Sequence, residues 1–178
     1  MTGARVETLQ AIMTRRSVRS FTDEPVTEEQ LQTLLRAAMA APSAGNEQPW
    51  RIVATRDRET LARWANATPF SRPLAGAAVG LAVCGETVAV KHSGFWVDDC
   101  SAATQNILLA AHAIGLGAVW IGVAPSKLMI ANVRRILKPP RSVTPFALIA
   151  IGHPAKQPEP VDRFREDFVV TDGWVPKD

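Results

Sequence analysis

The sequence predicts an α+β domain in which several helices wrap one sheet. Three observations carry this. Residues 31–39 and 100–114 hold apolar side chains at helical spacing, and residues 50–55, 77–84, 118–123 and 145–152 are short, continuous apolar runs. Turn signals separate the two kinds of segment throughout, so helices and strands alternate irregularly rather than as repeated βαβ units.

Taken in order, Val6, Leu9, Ile12 and Met13 give a first amphipathic helix over residues 5–14. It runs into Arg15-Arg16-Ser17-Val18-Arg19-Ser20-Phe21, read as a helix end and an extended exit. Cations at a helix C-terminus suit its dipole. Three guanidinium groups and Ser17 within five residues also suit one compact anion such as a phosphate. Thr27-Glu28-Glu29-Gln30 is a capping-box signature for a second helix, which Pro42 ends by disfavouring helical geometry at Ala41.

Pro42-Ser43-Ala44-Gly45-Asn46-Glu47-Gln48-Pro49 then forms a polar loop between that helix and an apolar strand. Its side chains can satisfy their own turn or meet a ligand. Asp57 can cap a helix holding Leu61 and Trp64, residues 66–75 read as irregular, and residues 85–94 read as a loop or short turn at the rim of a site. Asp98 and Asp99 mark the start of the longest helix, apolar nearly all round, whose Gln105, Asn106 and His112 need partners. Pro125 and Ser126 open the last helix. The tail from 153 to 178, with several prolines and mixed charge, is expected to be extended and packed on something else; no domain boundary interrupts residues 1–178.

Composition excludes several classes. No run of about 18 apolar residues predicts a membrane span, and the N-terminus lacks the apolar core of a signal peptide. Cys84 and Cys100 match neither a metal knuckle nor a redox pair, and the expected compartment is the cytoplasm. Twenty Lys and Arg against 17 Asp and Glu give a net charge of +3, too sparse for a nucleic-acid surface. Gly115-Leu116-Gly117 fails as a dinucleotide fingerprint because it follows a helix and carries Trp120 at the third glycine position. A Walker loop, a nucleophile elbow and metal-site spacing of the three histidines are all missing, so no metal is expected. The chain shows no nucleophile or acid/base pair of its own. Any enzymatic chemistry is therefore expected to come from a cofactor.

Four stretches, RRSVRSF (15–21), APSAGNEQPW (41–50), DDCSAATQNILLAAHAIGLGAVWIG (98–122) and IGHPAKQPEPVDRF (151–164), occur in the order and spacing of the nitroreductase-like flavoproteins, and the chain resembles that family over nearly its whole length. The resemblance implies a mostly antiparallel central sheet surrounded by helices, an intertwined homodimer, and two FMN sites at the subunit interface. On that pattern Arg15, Ser17 and Arg19 match phosphate and ribityl contacts, Arg16 contributes from the same segment, and Arg163 adds a second cation, with Lys156 a weaker match. Pro42, Ser43, Ala44 and Asn46 match the loop that the partner subunit lays beside the flavin, and Gln48 braces or joins it. Trp120, Ile121 and Gly122 match the segment running beside the ring, while Phe70, Phe95 and Trp96 are expected on the substrate side. The C-terminal tail, from about 153, would pack on the partner.

The implied activity is ping-pong hydride transfer from NADH or NADPH through flavin N5 to a nitroaromatic, quinone or similar small acceptor, with no side chain as a covalent catalyst. The alternatives are a flavin-dependent dehydrogenation or reductive removal of a substituent, and a non-catalytic flavin-binding sensor. Two departures from the family leave the substrate open. Residues 66–96 lack a long inserted lid, and the strand-end segment reads Val119-Trp120-Ile121 where some larger relatives carry an acid.

Overall fold

The computed structural model describes residues 7–174. Four strands, β1 (Trp50–Thr55), β2 (Val79–Glu86), β3 (Gly117–Gly122) and β4 (Val143–Gly152), form one sheet in the order β1-β2-β4-β3, antiparallel throughout. Around it lie α1 (Thr8–Thr14), α2 (Glu28–Met39), α3 (Arg58–Ala65), α4 (Trp96–Ala113) and α5 (Lys127–Leu137). This is the α+β arrangement that the sequence predicts.

Side-chain alternation on β2 and β4 builds a three-layer core. Val79, Leu81, Val83, Ile149 and Ile151 face one way, onto α2 and α4 through Leu34, Ala38, Ala103 and Ile107. Ala82, Leu148 and Ala150 face the other, onto Leu61 and Trp64 of α3 and Val133 of α5. With both faces covered, every residue of β2 is buried. That burial explains why these antiparallel strands read as continuous apolar runs instead of alternating ones.

The helix starts follow their capping chemistry. The Thr27 hydroxyl accepts the Gln30 N–H at 3.1 Å while the Gln30 side chain accepts the Thr27 N–H at 2.8 Å. Asp57 accepts from Thr60 N–H at 2.7 Å to begin α3, and Ser126 accepts from Met129 N–H to begin α5. Several expected boundaries shift by one or two residues, β3 and the start of β4 among them. The longest helix starts at Trp96 rather than at the Asp98-Asp99 pair, and β2 runs two residues further, to Glu86.

The first helix differs most from expectation. Val6 lies outside the described residues; of the rest of its apolar stripe, Leu9 is 75% exposed and Met13 72%, and only Ala11 is buried. The tail behaves in the same way: residues 161–174 are exposed throughout, Phe164, Phe168 and Trp174 included.

Candidate functional site

The segment from Arg15 to Thr22 is held in place by backbone bonds at both ends. Val18 N–H donates to Ala118 C=O at 3.0 Å, Thr22 N–H to His153 C=O at 2.9 Å, and Ala155 N–H to Ser20 C=O at 3.1 Å. Val18 is buried over Gly117, where a Cβ would stand 2.7 Å from Val18 Cγ1, so only glycine lets the segment lie this close. Ser17 and Arg19, the neighbours of inward-facing Val18, line a 360 Å³ cavity together with Lys156.

Three guanidinium groups, of Arg15, Arg16 and Arg163, come within electrostatic reach of one another beside this segment. Burial and the charges of Arg16 and Arg163 hold the Arg15 guanidinium below its ordinary pKa. Arg16 donates to Arg15 C=O at 2.7 Å and to Val161 C=O, which ties the end of α1 to the C-terminal tail. Its Nε is buried with no partner, and among the described residues none of the three forms an ion pair. Like charges gathered with no ion pair among the described residues favour a bound anion.

A second, larger cavity of ≈ 1050 Å³ runs along β3, lined by Arg19, Phe70, Arg72, Trp120, Gly122 and Met129 among others. β3 is an edge strand. Ala118 turns its carbonyl outward to Val18, whereas Val123 turns its N–H inward to Phe146 C=O at 3.0 Å. By the two-residue period of a strand, Trp120 and Gly122 also present their backbone N–H and C=O outward, toward the cavity. The site thus offers apolar walls, an unpaired strand edge and two arginines.

The Pro42–Gln48 loop is pre-shaped. Gly45, Asn46 and Gln48 all have left-handed backbones (φ 57°, 56° and 51°), which costs a non-glycine residue about 1–2 kcal/mol. A Cβ on Gly45 would stand 2.7 Å from the His92 ring. The Ser43 hydroxyl accepts Gln48 N–H at 3.0 Å, and Asn46 Oδ1 accepts Gln48 Nε2 at 3.0 Å. The Ser43 hydroxyl proton and the Asn46 amide NH₂ are left as donors with no partner among the described residues. Gln48 braces the loop from within.

The expected site residues are therefore distributed over two regions of the chain. Arg15, Arg16, Ser17, Arg19, Arg163, Trp120, Ile121, Gly122 and Phe70 gather at the cavities and the adjoining cluster. Pro42, Ser43, Ala44, Asn46 and Gln48 do not line the large cavity, nor do Phe95 and Trp96. Phe95 is exposed, and Trp96 packs edge-on against Phe146 at 6.0 Å, which in turn packs against Trp120 at 5.5 Å.

Arg72 was not foreseen. Its only sequence signal is a charge between Phe70 and Pro73 in an irregular stretch. Its position depends on the buried Ser71 hydroxyl, which bonds Thr68 C=O at 2.8 Å and Ala65 C=O at 3.0 Å and folds that stretch into a compact turn. Burial pushes the Cys84 and Cys100 thiols up to about 11 and about 12, so neither supplies a nucleophile. Among the described residues no group of His, Cys, Asp and Glu is placed to hold a metal, and no helix is long and apolar enough to cross a membrane.

Sheet order and helix placement define a small α+β protein with an arginine cluster beside an edge-strand cavity. The model of the nitroreductase family matches residues 12–78 and 74–153, and the chain belongs to that family. It is 42% identical over 171 residues to a candidate NADH dehydrogenase/NAD(P)H nitroreductase of Methanothermobacter thermautotrophicus, covering 96% of this chain and 90% of the relative. A crystal structure of a candidate NADH dehydrogenase/NAD(P)H nitroreductase from Parabacteroides distasonis superposes with a TM-score of 0.89 at 40% identity, covering 94% and 98% of the two chains. A candidate nitroreductase from Desulfovibrio desulfuricans, solved in complex with FMN, superposes at 0.81 with 34% identity, covering 96% and 99%.

Proposed function

We propose that the chain is an FMN-dependent oxidoreductase that takes electrons from NADH or NADPH and delivers them to a nitroaromatic, quinone or related small acceptor. The observation that carries this is the meeting of Arg15, Arg16 and Arg163 with no carboxylate partner among the described residues. A flavin phosphate is a compact dianion that such a cluster suits. The names of the relatives support the nicotinamide, and the FMN-bound relative supports the cofactor.

On this reading Arg15, Arg16 and Arg163 hold the phosphate, Ser17 and Arg19 meet the ribityl chain, and the outward backbone of Trp120–Gly122 lies along the ring. Arg72 brings a further positive charge to the same cavity. Bound there, FMN would supply the redox chemistry, a ping-pong hydride transfer through its N5. The protein's own contribution is to fix the ring, exclude water with apolar walls and offer backbone donors. No side chain forms a covalent intermediate.

The working unit is a homodimer with residues 1–178 as one domain. The exposed Leu9, Ile12 and Met13 of α1 and the exposed Phe164, Phe168 and Trp174 of the tail support it, because apolar surface of that extent favours a partner. In the dimer the tail packs on the partner, and the Pro42–Gln48 loop brings the Ser43 and Asn46 donors to the flavin held by the opposite subunit. Reconstitution with FMN tests this reading. The expected product is a yellow dimer that NADPH or NADH bleaches without oxygen, and a colourless protein that retains no FMN would remove it.

A further inference from the structure

We infer that Asp99 is a positioning residue for the flavin-facing loop, an inference that rests on the flavin reading above and assigns a role to a side chain outside the cofactor contacts. Sequence reasoning assigns Asp99, like Asp98, to helix capping. The two differ in the fold. Asp98 is exposed, whereas Asp99 is only 6% exposed on the first turn of α4, and its Oδ1 accepts the backbone N–H of Ala44 at 2.9 Å.

A buried carboxylate needs strong compensation. Among the described residues no cation pairs with Asp99; its partners are the Ala44 N–H and the positive end of the α4 dipole. A neutral side chain could accept the same bond, but an ionised acceptor makes it shorter and stronger. The strength matters at this place. Ala44 is the first residue of the turn that contains left-handed Gly45 and Asn46, followed by left-handed Gln48. Such a backbone persists only where its surroundings over-determine it.

Two carboxylates do so, one on each side. Asp99 grips the start of the turn from beneath. Glu47, within the loop, accepts the N–H groups of Lys91 and His92 at 2.6 and 2.8 Å and fastens its far side to the rim segment. The unpartnered donor of Asn46 lies between these two anchors in the chain, and that of Ser43 immediately precedes the first. Asp99 therefore sets where those donors point before any ligand arrives, without touching the ligand itself.

The test uses full-length protein reconstituted with FMN, comparing D99A, D99N and D98N with wild type. Amide hydrogen exchange over residues 42–50 and the FMN dissociation constant are both measured. D99A should raise exchange in 42–50 at least tenfold while leaving β2 and β4 protected, and should weaken FMN binding at least tenfold. D99N, which keeps an acceptor oxygen but loses its charge, should recover part of both effects, and D98N should match wild type. Loop exchange and FMN affinity within twofold of wild type in D99A would overturn the inference, as would exchange rising uniformly across the sheet. If D99A does not fold, D99N decides: a threefold or larger change in both readouts, confined to the loop, supports the role, and unchanged values overturn it. A wild-type protein that binds no FMN would instead strike the flavin reading, whereas the exchange data test Asp99 on their own.

Discussion

Thr14 Oγ1 and His112 Nε2 lie 2.8 Å apart, joining the end of α1 to the last turn of α4 beside the arginine cluster. The Thr14 hydroxyl directs its proton at Gln10 C=O, 2.7 Å away, so Oγ1 accepts and His112 carries its proton on Nε2. Burial, then the charges of Arg15 and Arg16, hold the His112 pKa below its ordinary value of about 6.5.

Because the folded pKa is lowered, the unfolded chain takes up a proton first as pH falls. His112 thus leaves stability unaffected above about pH 7, lowers it as pH drops through about 6.5, and adds no further loss below its folded pKa. Urea unfolding midpoints measured from pH 8 to pH 5 should fall more steeply for wild type than for His112→Gln. Parallel curves would show that the imidazole is not held neutral.

The same relationship reports on the anion site. An anion placed against Arg15 and Arg16 offsets the charges that depress His112, so FMN or inorganic phosphate should move its NMR titration midpoint upward. A midpoint that stays put with FMN bound would place the phosphate elsewhere.

Arg15→Ala should weaken FMN retention about 10- to 100-fold, the range expected for losing a charged hydrogen bond worth roughly 1.5–3 kcal/mol. Arg36→Ala, an exposed cation on the last turn of α2, is the control and should bind as wild type. Fluorescence titration of the flavin distinguishes the two. Equal affinities would reduce Arg15 to a helix-end cation.

Gly117→Ala should displace the Arg15–Phe21 segment, because the new methyl meets Val18 2.7 Å away. FMN affinity should fall with it, and Val18→Gly added to Gly117→Ala should restore part of the loss, because the Val18 Cβ itself would stand 2.8 Å from the new methyl and only its removal makes room. A double-mutant cycle measures this coupling. Simple additivity would mean that the segment is not seated on Gly117.

If the proposed dimer forms through α1, Leu9→Glu with Met13→Glu should lower the mass in light scattering toward that of one chain at little cost to the fold, since both side chains are exposed; an unchanged mass would contradict that interface. Leu34→Ala should act in the opposite way, costing about 2–5 kcal/mol of stability through a cavity in the fully buried α2 face.

Much of the fold was legible because its signals are local. Thr27, Asp57 and Ser126 announced α2, α3 and α5 through caps that the structure forms. The start of α4 was missed because its N-cap, Phe95, makes no side-chain cap bond, and the nearest acids lie inside the helix. The stripe on α1 was read as the apolar face of an amphipathic helix, and among the described residues Leu9 and Met13 stay largely uncovered. Periodicity shows that a face is apolar and is silent on what covers it.

The site divides along the same line. The arginine segment and the polar loop are contiguous in sequence, so their chemistry could be read from it. The approach of Arg163 to Arg15 was expected only from the family resemblance, and the entry of Arg72 into the cavity and the burial of Asp99 depend on chain returns over tens of residues, which no short pattern encodes.

The central claim is that this chain holds FMN and passes electrons through it. Anaerobic stopped-flow mixing of FMN-loaded protein with NADPH and with NADH, followed by a nitroaromatic or quinone, tests it most directly. The account predicts rapid bleaching of the flavin absorbance by at least one nicotinamide and its return on adding the acceptor. Flavin that stays oxidised with both nicotinamides would contradict it.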